Sequence, residues 1–137
     1  MRYTLLEGSK DALTLVARVL LMILFVVFGW SKLIGFSATA GYMASTGVPM
    51  PTISAAIAVI MEFFVGVAIV LGFYTRPLAL LLGLYTLAAA LIGHPFWNMD
   101  DPERTSAMIN FYKNVSIAGG LLLLCLHGPG RYSLDGR

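Results

Sequence analysis

Hydrophobic positions along this chain fall into four long runs, separated by short polar or proline-marked stretches. A membrane-crossing helix needs about 20 mostly apolar residues, because the hydrocarbon core is about 30 Å thick. By that measure spans are predicted at about residues 12–34, 53–74, 77–94 and 106–127, the third being short. Pro77 suits the first turn of the third helix, and Pro95 marks where that helix should stop. Only G-F-Y-T-R-P separates the second and third runs, which predicts a tight helical hairpin. The other connections are longer. One, G-F-S-A-T-A-G-Y-M-A-S-T-G-V-P-M-P, reads as a loop ending in a proline-bounded turn. The other, P-F-W-N-M-D-D-P-E-R-T, is acidic and aromatic, with Asp101-Pro102-Glu103 placed to start a short helix or cap the fourth span. The pattern predicts an all-α fold: an integral membrane four-helix bundle, one domain over residues 1–137, with both termini on one side.

Composition agrees with that reading. The chain is 58% hydrophobic and only 12% charged, where a soluble domain carries about a quarter charged residues. A net charge of +2, scattered along the sequence, gives no footprint for nucleic acid; the expected surroundings are a lipid bilayer. The single cysteine, Cys125, can form no internal disulfide and belongs to no C-x-x-C, so it reads as a small core hydrophobe. The first run is too long for a signal-peptide core and lacks a small-residue cleavage site, and so reads as a retained span. Charge asymmetry then orients the bundle. Arg2, Lys10, Arg76, Arg131 and Arg137 fall on the side of the termini, whereas the opposite side has Lys32 and an Arg104 set beside three acids. The positive-inside rule places both termini in the cytoplasm.

Three charges fall inside the runs. From the helical rise, Glu62 lies about 15 Å from the terminal side, Arg18 about 9 Å and Lys113 about 21 Å. An isolated carboxylate at mid-membrane would be neutralised or expelled, whereas paired charges can stay inside a bundle. Arg18, Glu62 and Lys113 are therefore expected to form a buried ion-pair network. Depth leaves open which cation pairs with Glu62. Chemistry favours Arg18, with its rigid fork, as structural partner and Lys113 as the functional one. Helical angles agree with inward faces. Arg18, Met22, Phe25, Gly29 and Lys32 fall within a sector of about 40°; Ala58, Glu62 and Gly66 form a small-residue stripe; Asn110, Lys113 and Asn114 share one side.

Above this cluster the sequence places His94, Trp97 and Lys32, with Tyr42 and Tyr112 nearby. An aromatic mouth with a few polar groups suits a flat, mostly apolar ligand. Aromatic residues also populate membrane interfaces in general, and a lysine at a span's end commonly snorkels. His94 fits either a proton-transfer group or a satisfied interfacial histidine. The expected ligand-binding set is His94, Asn110, Lys113, Asn114, Trp97 and Lys32. His94 and His127 belong near opposite faces, so no metal site is expected.

Several pieces, in order, resemble the DoxX family of small four-helix membrane proteins. They are Arg18, G-W-S-K-L at 29–33, the Gly47-Val48-Pro49 turn, M-E-F-F-V-G around Glu62, L-G-F-Y-T-R-P at 71–77, K-N-V-S-I-A-G-G in the fourth span, and G-P-G-R-Y-S-L-D at 128–135. Within the family, G-Y-M-A-S, I-G-H, W-N-M and M-I-N-F-Y-K-N-V-S-I-A-G-G resemble a branch of enterobacterial inner-membrane proteins. The resemblance implies the bacterial inner membrane, an association with quinone-linked redox systems, and membrane redox partners; a homo-oligomer stays open. The chain itself carries no C-x-x-C, haem ligand pair or flavin motif, so a redox centre would come from ligand or partner. The expected role is binding of a small membrane-soluble ligand, a quinone being the implied one, within a redox-related membrane complex. Whether the chain is an enzyme stays open. The rivals are a small transporter or channel component and a non-catalytic membrane scaffold.

Overall fold

Each predicted span forms a helix, and the second, third and fourth stop where the chain changes hand at Gly72, meets Pro95, or changes hand at Gly128. The computed structural model describes residues 3–136, and the regular structure among them is entirely helical. Arg2 and Arg137, two cations of the charge asymmetry, lie outside the described residues. A 3-10 turn at Glu7–Ser9 leads into α1, Lys10–Ile34. After Gly35 follow α2, Phe36–Ser45, and α3, Pro51–Val59. A turn of π-helix, Ile60–Val65, joins α3 to α4, Gly66–Leu71, as one rod. Next come α5, Thr75–Gly93, a 3-10 turn at Phe96–Asn98, and α6, Glu103–His127. Among the described residues, four helical stretches are long and apolar enough to cross a membrane: Glu7–Ile34, Pro51–Leu71, Thr75–Asn98 and Glu103–His127.

Local chemistry explains the ends. Pro51 occupies the first turn of α3, where its missing N–H costs nothing. The second span ends at Leu71, short of the expected residue 74, because Gly72 turns left-handed (φ 71°) and a Cβ there would strike Ser133. Glu103 and His127 suit the dipole at the two ends of α6.

Two elements depart from the expected pattern. The first long connection is mostly helix: α2 has 10 residues, about 15 Å, too short to cross. Two of its hydroxyls bond locally, Thr39 donating to the Gly35 carbonyl (3.0 Å) and Ser45 to that of Tyr42 (2.7 Å). The other departure is the π-turn, which contains Glu62.

The bundle interior follows the predicted faces. The buried residues of α1 are Arg18, Met22, Phe25 and Gly29, and Ala58, Glu62 and Gly66 are all buried. Met22, Ile69, Leu82 and Leu121, each 0% exposed, meet at the centre. The outward faces are also apolar, with Ile23, Val27, Phe64, Leu84 and Leu123 all more than half exposed. Helices apolar all round are built for lipid, where close packing rather than water exclusion holds them together. Gly29 is the tightest crossing. A Cβ there would lie 2.5 Å from the Phe63 amide nitrogen, so only glycine lets α1 approach the π-turn.

Arg18 corrects the expected ion-pair network. Its guanidinium faces no carboxylate of the bundle. It donates instead to the carbonyls of Val70 (3.2 and 3.0 Å), Tyr132 (2.8 Å) and Pro129. Val70 lies in the last turn of α4, where carbonyls lack helical partners and the dipole favours a cation. The C-terminal segment folds back over the α4–α5 turn. Leu134 and Asp135 donate N–H bonds to Leu71 and Gly72 carbonyls, and the Asp135 carboxylate accepts from the amides of Tyr74 (2.9 Å) and Thr75 (2.8 Å) at the start of α5. Loss of water raises the Asp135 pKa, but those amides and the nearby Arg18 charge outweigh it, so the carboxyl sits below its usual range. Arg18 and Asp135 together tie the tail to the end of the bundle that carries both termini.

Candidate functional site

Glu62 is 8% exposed and has two partners, neither of them expected. Lys32, one turn beyond Gly29 on α1, places Nζ 2.7 Å from both carboxylate oxygens. Tyr85 of α5 donates its hydroxyl to Oε2 at 2.8 Å. The reach of Lys32 follows from the close approach at Gly29, which brings α1 against the backbone of Glu62 and Phe63. Expected partners for Glu62 were Arg18 and Lys113; Arg18 is occupied at the terminal end, and Lys113 donates to the Asn110 side-chain oxygen at 3.3 Å. Lys32, expected to face a ligand or snorkel, is the counter-ion.

These groups form one wall of a cavity of about 470 Å³. Its polar lining gathers Lys32, Glu62 and Tyr85 with His94, Lys113 and Asn114, on α1, the π-turn, α5 and α6. Phe25, Phe28, Ile57 and Ile92 supply apolar walls, and Met43 and Val48 bring in α2 and the turn after it. The volume lies within the usual range for small-molecule sites, about 300–1,000 Å³. Phe28, Ile57 and Ile92 are also about half exposed on the outer faces, so the space adjoins the surface that meets lipid.

Of the six residues expected to face a ligand, four line this cavity: Lys32, His94, Lys113 and Asn114. Asn110 stands behind Lys113 and lines a shallower groove with Asp101 and Pro102. Trp97 is absent from the cavity wall. It stacks edge-on against Phe96 (5.3 Å) and Phe111 (5.6 Å), in an aromatic group that also takes in Tyr112 and Arg104. Tyr42 is 69% exposed. Sequence reasoning missed Tyr85. Its signal was position: a tyrosine in the middle of a span, away from the interfaces where tyrosines gather, needs a polar partner. Among the described residues no group of three His, Cys, Asp or Glu side chains stands together to hold a metal ion.

The same order of elements carries a family signature: the DoxX profile matches residues 13–95, which include Arg18, Lys32, Glu62, Tyr85 and His94. The chain belongs to the DoxX family. Inner membrane protein YphA of Escherichia coli K12 is 50% identical over 137 residues, covering all of this chain and 98% of the relative. Inner membrane protein YqjF of the same organism is 40% identical over 133 residues, 95% of each chain. A more distant likeness is to the ER-derived vesicles protein ERV29 of Saccharomyces cerevisiae, 24% identical over 129 residues, 94% of this chain but 34% of that one. No solved structure matches this DoxX-family chain. With four apolar helices of spanning length and relatives named as inner membrane proteins, it is a multi-pass inner-membrane protein.

Proposed function

We propose that this DoxX-family protein binds a small, flat, membrane-soluble ligand of the quinone type in the cavity beside Glu62, within a redox-related membrane complex whose partner supplies the electron carrier. The observation that carries the reading is the cavity itself: about 470 Å³, apolar on most sides, with Lys32, Tyr85, His94, Lys113 and Asn114 brought to it from separate helices. Carbonyl oxygens of a quinone head would accept from Lys32, Lys113 and the Asn114 amide, the Tyr85 proton being taken by Glu62, and its ring would lie among Phe25, Phe28 and Ile92. Lysine and asparagine supply hydrogen bonds without redox chemistry of their own, in keeping with a ligand or partner that carries the electrons. A transport path would need a second opening at the terminal end. There Arg18, the Val70 carbonyl and the tail are hydrogen-bonded together, which speaks against a channel. The proposed orientation has the termini in the cytoplasm and the cavity in the outer half of the bilayer; Lys10, Arg76 and Arg131 on the side of the termini support it.

Protein purified gently from its native membrane and extracted for an unbiased mass spectrum of small molecules tests the reading. A copurifying quinone, in amounts that fall in Glu62→Gln, is the expected result. Substrate flux in liposomes without bound quinone would instead establish the transporter, and neither result would leave a scaffold.

A further inference from the structure

The cavity wall is unbalanced in charge, and the imbalance specifies more about the ligand than its shape does. Glu62 is fully engaged: Oε1 accepts from Lys32, and Oε2 accepts from both Lys32 and Tyr85. It has little left to offer a ligand as acceptor. Lys32 gives two contacts to Glu62 and keeps one N–H, with its side chain 33% exposed. Lys113 has only the neutral Asn110 oxygen, at a long 3.3 Å, and no carboxylate pairs with it among the described residues. Two ammonium groups therefore face one carboxylate across this space, with the His94 imidazole and the Asn114 amide beside them.

Depth makes that surplus matter. Lys113 stands seven residues inside the fourth span, about 10 Å along the helix axis from residue 106, and so within the outer half of a hydrocarbon core about 30 Å thick. Its side chain leans toward the helix N-terminus, as all helical side chains do, and so rises alongside His94 rather than toward the terminal end. Lys113 is exposed at the cavity rim, and an ammonium without a carboxylate at this level of a bilayer favours a negative partner more than it would in water.

We propose that the cavity binds its ligand as an anion: a membrane-soluble molecule with one acidic oxygen, an ionised enol, phenol or carboxylate, seated between Lys113 and Lys32, and an apolar body among Phe25, Phe28 and Ile92. The inference rests on the reading of this cavity as a ligand site and adds the charge of the head. Lys113 is the counter-ion, Lys32 lends its remaining N–H, and Asn110 holds Lys113 in place.

Two flat probes of nearly equal size separate charge from shape: 2-hydroxy-1,4-naphthoquinone, ionised at neutral pH, and 2-methyl-1,4-naphthoquinone, which is neutral. Binding of each would be measured calorimetrically at pH 7 to the full chain in phosphatidylcholine nanodiscs, with protein-free nanodiscs as blanks and dodecanoate as a third probe. The ionised naphthoquinone should bind at least about tenfold more tightly than the neutral one. Lys113→Met should remove that preference with little change toward the neutral probe, and Lys113→Arg should keep it. Equal binding of both naphthoquinones to the native chain, or a preference that survives Lys113→Met, overturns the inference and leaves the quinone reading standing. Dodecanoate bound in a Lys113-dependent way, with neither naphthoquinone bound, upholds the anionic head and overturns the flat quinone. No binding of any probe overturns both.

Discussion

Replacing Lys32 by methionine should destabilise the bundle more than replacing Glu62 by glutamine, and the difference can be worked from the geometry. Lys32 Nζ lies 2.7 Å from both oxygens of Glu62, and the side chains are 33% and 10% exposed. Removing one partner of a fully buried pair costs about 3–5 kcal/mol, because the other charge is left stranded. The partial exposure of Lys32 lowers this to about 2–3 kcal/mol for Lys32→Met, which leaves Glu62 with Tyr85 alone. In Glu62→Gln the loss is smaller, about 1–2 kcal/mol: the amide oxygen still accepts from Tyr85, and Lys32, in the last turn of α1, can turn outward. The double variant strands nothing. It should therefore be less destabilised than the two losses added, by about 2 kcal/mol of coupling. Thermal unfolding in detergent, followed for native chain, single and double variants, reads that coupling directly. Arg18→Met with Glu62→Gln is the control pair, and its effects should add within about 0.5 kcal/mol. Additivity for Lys32 with Glu62, or coupling of Glu62 to Arg18 instead, would refute the assignment of Lys32 as counter-ion.

Four smaller expectations rest on other contacts. Tyr85→Phe should cost about 1 kcal/mol in the same unfolding assay, the net worth of its hydrogen bond to Glu62, and nothing further in a Glu62→Leu background. Gly29→Ala should cost about 1–3 kcal/mol by pushing α1 off the π-turn, whereas Gly119→Ala, with nothing within 4 Å, should be neutral or slightly stabilising. The Asp135 carboxyl is held low in the folded protein, so its contribution to tail docking is complete above the unfolded value of about 3.9 and disappears as pH falls through the folded one. Protection from hydrogen exchange over residues 128–136, relative to the intrinsic rate at each pH, should then stay high from neutral pH to about 4 and fall below, while Asp135→Asn should be weakly protected already at neutral pH. Reporter fusions after Gly136 should be active only in the cytoplasm; a periplasmic signal would invert the proposed orientation.

The four spans were legible because the bilayer imposes length and apolarity on every residue that crosses it, and boundaries moved by only a few residues where Gly72 and Thr75 set the turn. The inward faces were legible too, since the 3.6-residue period alone gathers Arg18, Met22, Phe25 and Gly29. The α2 helix was not, because a 10-residue stretch rich in small and hydroxyl residues has no apolar period to read. The π-turn was hidden for a different reason: its six residues, I-M-E-F-F-V, are as compatible with an α-helix as with a π-helix, and packing against Gly29 is what places them. Of the site, the residue types were visible and the pairing was not. Depth arithmetic along separate helices ranked Arg18 and Lys113 as neighbours of Glu62. It took no account of a lysine stem reaching back along α1, or of a tail that supplies Arg18 with carbonyls from more than 100 positions away in sequence.

The buried Arg18 and the cavity-side Lys113 belong to separate systems, and that separation bears on function. A guanidinium has five donors in a flat fork, and at the end of α4 it meets three carbonyl groups from Val70, Pro129 and Tyr132, so its charge is spread over fixed backbone acceptors. No such shell surrounds Lys113, whose neighbours are a neutral amide and open cavity. The first arrangement closes the terminal end of the bundle; the second leaves polar groups facing space at the other. With the terminal end tied by Arg18 and Asp135, a molecule that reaches Tyr85 and Lys113 has its way in past Phe28, Ile57 and Ile92, from the bilayer, or beneath α2. If the proposed ligand enters that way, a route through lipid would select for solubility in lipid before any side chain is touched, and the donors at its end would then select for an oxygen that can accept.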